Sequence, residues 1–553
     1  MSMEQTMAAL RNFGYGPAGD GQLPQYRTPS EFIQALGEVK EAALRALQET
    51  EHPWPDSVFE TVLQVLADIR SGRLDHRFPL DLAQGGAGTS LHMNICEVLA
   101  DEVAQRLGRP DLFHFLDDGA RSQSTNDVVS TAAIIVIQRR IRSLESAVIA
   151  LQEALVEREQ AWRGITIMGR TEWQDALPMD LSQVASAWAG SAERDRWRLG
   201  KLKERARTIP LGGTATGTGL GASAAYLFAA EQQLRRLTGL PLQRSQNLTD
   251  AVAQRDDFSE VANGFALIGA NIVKLCRDLM FYTSTVVGEL EHPALQWGST
   301  AMPVKTNPVL LEFAMGLAIR AQHRAASIPH YAQEGFLQLN AFTPFMVDAF
   351  IGSASDLERA LNTLSRDLLP ALQVRPERCI QNILQSRALL NLLRKDLPYE
   401  TLKALAADWQ SGAGATTADR DAKVHQYIDE LSRLTGLDRE VIKARFSFLL
   451  TSPSSSAAEP ATTAEPNIAA NLTPATDSTS VAEPNIAANS TPATDSTSVA
   501  EPATATDSTP AAEPATAAEP ATAAEPATAA EPTQPEGQQQ GSSSSLPDSK
   551  ERL

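Results

Sequence analysis

The sequence predicts an all-α protein with a central bundle of long helices, followed by a long C-terminal segment that stands outside the fold. Three observations predict it. Apolar residues recur at three- and four-residue intervals over long stretches, alternating strand-like patterns with turn dipeptides are scarce, and the composition changes abruptly near residue 451.

At the N-terminus, MSMEQTMAALRNFGYG has neither a basic n-region nor an apolar h-region, so it does not read as a secretory signal. No window of about 18 uncharged apolar residues occurs, so no membrane span is expected. The three cysteines, Cys96, Cys276 and Cys379, lie far apart without CxxC spacing. That argues against a disulfide framework or a zinc site and fits a reducing compartment, so a cytoplasmic protein is expected.

Through the body, Leu144, Val148, Leu151 and Leu155 form an apolar stripe with Glu and Arg on the opposite face, as an amphipathic helix requires. Similar stripes run through 257–290, 308–327 and 355–369. Five polar, glycine-rich strings interrupt the helices: QGGAGTSLHMN (84–94), DDGARSQSTND (117–127), GRTEWQDALP (169–178), LGGTATGTG (211–219) and GSTAMPVKTNP (298–308). Each alone could be a capping loop, with Asn307 as N-cap and Pro308 opening the next helix in the last of them. Five on one chain, all rich in hydroxyls and amides, point to a shared site for an anionic ligand.

From about Ser452 onward the chain is almost entirely Ala, Glu, Pro, Thr, Ser and Asn, and AEPNIAANLTPATDSTSV at 464–481 recurs nearly unchanged at 482–499. So little apolar surface cannot offset the entropy of ordering, and the segment is expected to be disordered. Residues 451–553 carry 14 acids and two bases, which supplies −12 of the formal charge of −19. The body is therefore only mildly acidic, with no basic clustering of the kind that nucleic-acid binding needs.

The polar strings carry a resemblance. GSTAMPVKTNP is similar to the GSSxMPxKxNP signature of the fumarase/aspartase superfamily, and the other four strings fall in that family's order. QGGAGTSLHMNICEV resembles GGAGTSxNMNxNEV, DDGARSQSTND resembles DxxxKSQS[ST]ND, GRTEWQDALP resembles GRTHLQDAxP, and LGGTATGTGL resembles LGGTAVGTGL. The resemblance spans about residues 55–450 and implies a three-domain helical fold. Its parts would be an N-terminal helical domain (1–125), a central helix bundle carrying the signature loop (126–370) and a small C-terminal helical domain (371–450), with the acidic tail at 451–553. It further implies a homotetramer with a twenty-helix core, each active site drawing loops from three subunits.

The chemistry implied is abstraction of a carbon-bound proton next to a carboxylate of a four-carbon dicarboxylic acid. By the resemblance, Ser299 is the general base, and Lys305 and Asn307 hold a substrate carboxylate. Thr89, Ser124, Thr125, Asn126 and Thr171 supply short donors to the second carboxylate and the leaving group. An ordinary serine is a very weak base, so nearby N–H dipoles and Lys305 must stabilise its alkoxide. No cofactor and no metal site are expected, since no Asp/Glu/His cluster has ligand spacing and no dinucleotide or phosphate-loop glycine pattern occurs.

The most informative departure is Glu172, where the family has the His of GRTH. The family pairs that His with a Glu at the position of Glu312. Two carboxylates sharing a site repel unless one is protonated or a cation lies between them. Glu172 is therefore expected to face a substrate ammonium, which favours an aspartate-type substrate and fumarate as product. Other departures are Val304 for Gly, Cys96 for Asn, Arg121 for Lys, and FYTSTVV (281–287) where the family has an SGPR-like stretch. The alternatives are a fumarate hydratase, a lyase of another substituted succinate, or a catalytically silent member acting as a scaffold. His92 and His114 read as hydrogen-bonded structural residues, and Trp173, Trp188 and Trp297 as packing anchors.

Overall fold

The computed structural model describes residues 3–13, 27–408 and 420–450. The expected disordered tail at 451–553 lies outside the described residues. Helices dominate: α1 (Glu4–Asn12), α2 (Ser30–Glu51), α3 (Asp56–Arg70), α4 (Thr89–Leu107) and α5 (Thr125–Ala161) come first. A hairpin of β1 (Thr166–Thr171) and β2 (Gln174–Asp180) precedes α6 (Leu181–Arg205). Then follow β3 (Thr208–Ile209), α7 (Ala224–Thr238), β4 (Gln243–Arg244), α8 (Leu248–Ala253), α9 (Asp256–Thr283), β5 (Leu290–Glu291), α10 (Val309–Gln333) and α11 (Thr343–Asn362).

α5 runs through the middle of the helices packed around it. Its 37 residues make a rod about 55 Å long at 1.5 Å per residue. Residues Val128–Gln138 are buried on every side, so this stretch needs neighbours all round rather than on one face. The neighbours are α2, α6 and α11. α6 returns antiparallel to α5, tied by Lys203 to Glu145 (2.7 Å) and by Gln138, whose amide donates to the Ala206 carbonyl at 2.9 Å. α9 packs on α6 and α10, and α10 packs on α11. The five long helices α5, α6, α9, α10 and α11 thus form the central bundle, and the stripe of Leu144, Val148, Leu151 and Leu155 lies inside it.

α1–α4 sit beside this bundle, with α2 packing on α3, α5 and α7. At the other end of the sequence a second apolar core forms. It joins Ile380, Ile383, Leu389, Leu393, Val424, Ile428, Leu431, Ile442 and Phe446 from residues 376–450 to Met168 of the hairpin. The hairpin itself is a departure from the sequence expectation, in which GRTEWQDALP was an interhelical loop. Gly169 makes it possible: the register shifts between Met168 and Arg170, and a Cβ at 169 would lie 2.6 Å from the Leu177 carbonyl oxygen.

Candidate active site

Three of the five polar strings meet at the N-terminus of α5. Ser124 is its N-cap, accepting from the Asn126 N–H at 3.3 Å, while Asp127 accepts from the Ser124 N–H at 3.0 Å. The same carboxylate accepts from the backbone N–H groups of Gly212 (3.1 Å) and Thr214 (3.0 Å) in the 211–219 string. Asn126 donates through its amide to the Ala215 carbonyl at 2.7 Å. Asp127 is fully buried, and burial pushes its carboxyl up to about 6, against the opposing pull of the three N–H groups and of Lys40.

The 84–94 string closes the same cluster. Thr89 begins α4, its exposed hydroxyl donating to the Gly86 carbonyl at 2.7 Å. His92, one turn on, is buried, with Nδ1 3.1 Å from the Thr125 hydroxyl oxygen. Its Nε2 meets the ammonium of Lys40, a fully buried lysine of α2. The loop before α5 is clamped by Asp118, which accepts from the Trp54 indole N–H (2.8 Å) and the His114 backbone N–H (2.7 Å). Arg121, whose guanidinium fork suits a carboxylate, pairs with Glu51 at 2.9 Å.

The other two strings lie at the far end of the bundle. In the hairpin, Glu172 and Trp173 form the two-residue tip, both with positive φ (53° and 63°), as the tight turn of a two-residue hairpin demands. Trp173 stacks on Phe281 at 5.5 Å between ring centroids but keeps most of its surface in solvent. Arg170 anchors the strand, with 2.9 Å bonds to both oxygens of the fully buried Glu289. Asn382 also donates to Glu289, at 2.9 Å, so hairpin, bundle and C-terminal helices share one buried charge pair. Thr171 and Glu172 are exposed, and so is Glu312 in the first turn of α10. Among the described residues no hydrogen bond or ion pair joins Glu172 to Glu312.

The 298–308 string is a loop between β5 and α10. Ser299 Oγ accepts from the backbone N–H groups of Ala301 (3.1 Å) and Met302 (3.0 Å). Asn307 donates to the Gly298 carbonyl at 2.7 Å, which cinches the loop. It therefore does not cap α10, whose N-cap is Pro308. Gly298 is required by close approach, because a Cβ there would lie 2.1 Å from the Lys305 carbonyl oxygen. Lys305, Trp297 and Val304 face solvent, the last two almost completely.

The lyase family model matches residues 20–322, a span that contains every one of these strings. The chain belongs to the fumarase/aspartase superfamily of lyases. A class II fumarate hydratase of Xylella fastidiosa is 31% identical over 409 residues, covering 73% of this chain and 84% of the relative. An aspartate ammonia-lyase of Bacillus subtilis is 28% identical over 411 residues, covering 73% and 85%. Among solved structures, a cobalt-bound fumarate lyase:delta crystallin from Brucella melitensis superposes with a TM-score of 0.72 at 29% identity, covering 81% of this chain and 94% of that one. The class II fumarase of Schistosoma mansoni shares the fold at a TM-score of 0.69 and 20% identity.

As a member of this superfamily the chain is a lyase with an all-α fold. Within one chain the sequence-derived site residues form two groups. Thr89, Ser124, Thr125 and Asn126 gather at the N-terminal end of α5, while Thr171, Glu172, Ser299, Lys305, Asn307 and Glu312 belong to elements beyond its C-terminal end. Lys40 and Asp127 escaped the sequence reading as site residues. Asp127 was visible only as the last letter of SQSTND. Lys40 left a subtler signal, because it occupies a core position in the stripe Leu36, Lys40, Leu44, Leu47 of α2, where an unpaired cation would be costly. Among the described residues no group of three or more His, Cys, Asp and Glu side chains could hold a metal ion, and no helix is long and apolar enough to cross a membrane.

Proposed function

We propose that this lyase eliminates a group, ammonia first among the candidates, from an aspartate-type four-carbon dicarboxylate to give fumarate, with Ser299 as the general base. The observation that carries the reading is the pair of backbone N–H groups aimed at Ser299 Oγ at 3.1 and 3.0 Å. Fixed dipoles of this kind stabilise an alkoxide before the substrate arrives, and a proton acceptor made from serine needs that stabilisation. Lys305, in the same loop, adds a positive charge and with Asn307 meets one substrate carboxylate. Thr89, Ser124, Thr125 and Asn126 meet the other carboxylate, at a helix N-terminus whose dipole favours anions. Thr171 adds a donor to the leaving group. Glu172 faces the ammonium, with Glu312 in the position of the Glu that the family pairs with its His.

Complete sites then need several chains, since a rod of about 55 Å separates the two groups of residues within one. A homotetramer around the central bundle meets that need. In its favour, α6, α9 and α10 present Trp197, Leu267, Phe313 and Ile319 to solvent, each 40–69% exposed, where large apolar side chains on a bundle face call for a partner surface. The relatives named above include both a fumarate hydratase and an aspartate ammonia-lyase, so water release from malate is the second reading. The replacement of the family His by Glu172 favours the amino acid over it.

The test is the ultraviolet absorbance of fumarate formed from aspartate and from malate separately. Aspartate turnover that Ser299→Ala lowers by roughly 10²–10⁴-fold supports the proposal. Glu172→Gln should then raise KM for aspartate about tenfold, since a hydrogen bond to a charged group is lost. Fumarate from malate alone would establish the hydratase reading, and fumarate from neither would transfer the reading to other substituted succinates.

A further inference from the structure

We propose that Lys40 and His92 are positioning residues that aim the Thr125 hydroxyl hydrogen outward as a donor to the substrate carboxylate. The inference rests on the reading of Thr125 as a carboxylate-binding residue and gives that residue its direction.

The chain of contacts begins at Lys40, which has no solvent exposure. An ammonium has three hydrogens and no acceptor site, and here three acceptors surround it: the Gly119 carbonyl (2.9 Å), Gln123 Oε1 (3.0 Å) and His92 Nε2. The Gln123 orientation is set independently, because its amide N–H donates to the Arg121 carbonyl at 3.1 Å and leaves the oxygen for Lys40. The Cys96 thiol and the Asp127 carboxylate also lie close enough to favour the charged lysine. Burial lowers the pKa of Lys40, and burial together with the Lys40 charge holds His92 well below the usual histidine range, so the imidazole is neutral.

A neutral imidazole that accepts at Nε2 carries its proton on Nδ1. That N–H points at Thr125 Oγ1, 3.1 Å away, and occupies a lone pair of the hydroxyl. The hydroxyl hydrogen is thereby excluded from the His92 side and turns toward the half-exposed side of Thr125 at the α5 N-terminus. A threonine can in general donate or accept, whereas a carboxylate can only accept. The Lys40–His92 relay removes the unproductive orientation, and the cation behind two hydrogen bonds polarises the O–H. The superfamily pattern has Asn where this chain has His92. Asn likewise offers one acceptor and one donor, so it can serve the same relay.

The experiment uses the full-length protein and succinate, a dicarboxylate with no leaving group. Nitrogen NMR of histidine-labelled protein, with His92→Asn to assign the signal, should show the proton of His92 on Nδ1. Calorimetry should show His92→Leu and Thr125→Val each weakening succinate about five- to tenfold, while His92→Asn stays within about twofold of the parent. A proton found on Nε2 overturns the proposal, and that measurement does not depend on any variant folding. His92→Leu binding succinate like the parent while Thr125→Val binds it weakly also overturns the relay but leaves the role of Thr125 intact. Unchanged binding by Thr125→Val would remove the underlying reading itself.

Discussion

Asp127→Ala tests the junction that holds the N-terminal end of α5. Three backbone N–H groups, those of Ser124, Gly212 and Thr214, donate to this one carboxylate at 3.0–3.1 Å. Each donor left unpaired in a buried place costs about 1–3 kcal/mol, so three cost roughly 3–9 kcal/mol. Against this, the variant no longer buries a charge. A carboxyl raised from 3.8 to about 6 corresponds to roughly 3 kcal/mol of penalty on the ionised form. The expected net loss at neutral pH is therefore about 3 kcal/mol. The two contributions separate with pH. Because the folded pKa lies above the unfolded one, the stability Asp127 contributes as a protonated acid is fully present below about pH 4 and is lost as pH rises through about 6. Asp127→Ala has no such titration, so its deficit grows on acidification, by roughly 1–1.5 kcal/mol between about pH 7.5 and about pH 5. Denaturant unfolding of parent and variant at both pH values, at fixed protein concentration because assembly shifts apparent stability, measures it. A deficit under about 1 kcal/mol, or one that shrinks toward acid, would refute the reasoning.

Three further outcomes follow from the far end of the bundle. Glu172→Gly should raise unfolding stability by about 0.5–1 kcal/mol, since it relieves a non-glycine residue at φ 53°, while lowering kcat/KM for aspartate under the proposed function. A thermal midpoint that falls would contradict the strain argument. Gly298→Ala should leave the melting curve nearly unchanged but lower kcat by roughly 10²-fold, because the loop must open to move the new Cβ away from the Lys305 carbonyl oxygen and Ser299 moves with it. Glu289→Gln should destabilise by about 3–5 kcal/mol, as it leaves Arg170 without its buried partner, and should increase proteolytic cleavage at the 171–174 tip. An unchanged cleavage pattern would show that the hairpin is held by other contacts.

The long helices and the superfamily were legible in the sequence because both are written locally. The 3.6-residue stripe through Leu144, Val148, Leu151 and Leu155 needs only its own helix to be recognised, and each polar string carries its meaning within about ten residues. The hairpin at 166–180 was not legible. Its tip is Glu172–Trp173 rather than the Asn-Gly or Asp-Gly that announces such turns, and it is held by distant partners, Phe281, Glu289 and Asn382. The α2 stripe could mark Lys40 as buried but not what it meets, since its acceptors at 92, 119 and 123 come from other elements. The sequence by itself determined which side chains are available for the chemistry. The tertiary structure decided which of them meet, because a rigid helix of 37 residues holds the 125 and 171 strings at opposite ends however close they stand in the chain.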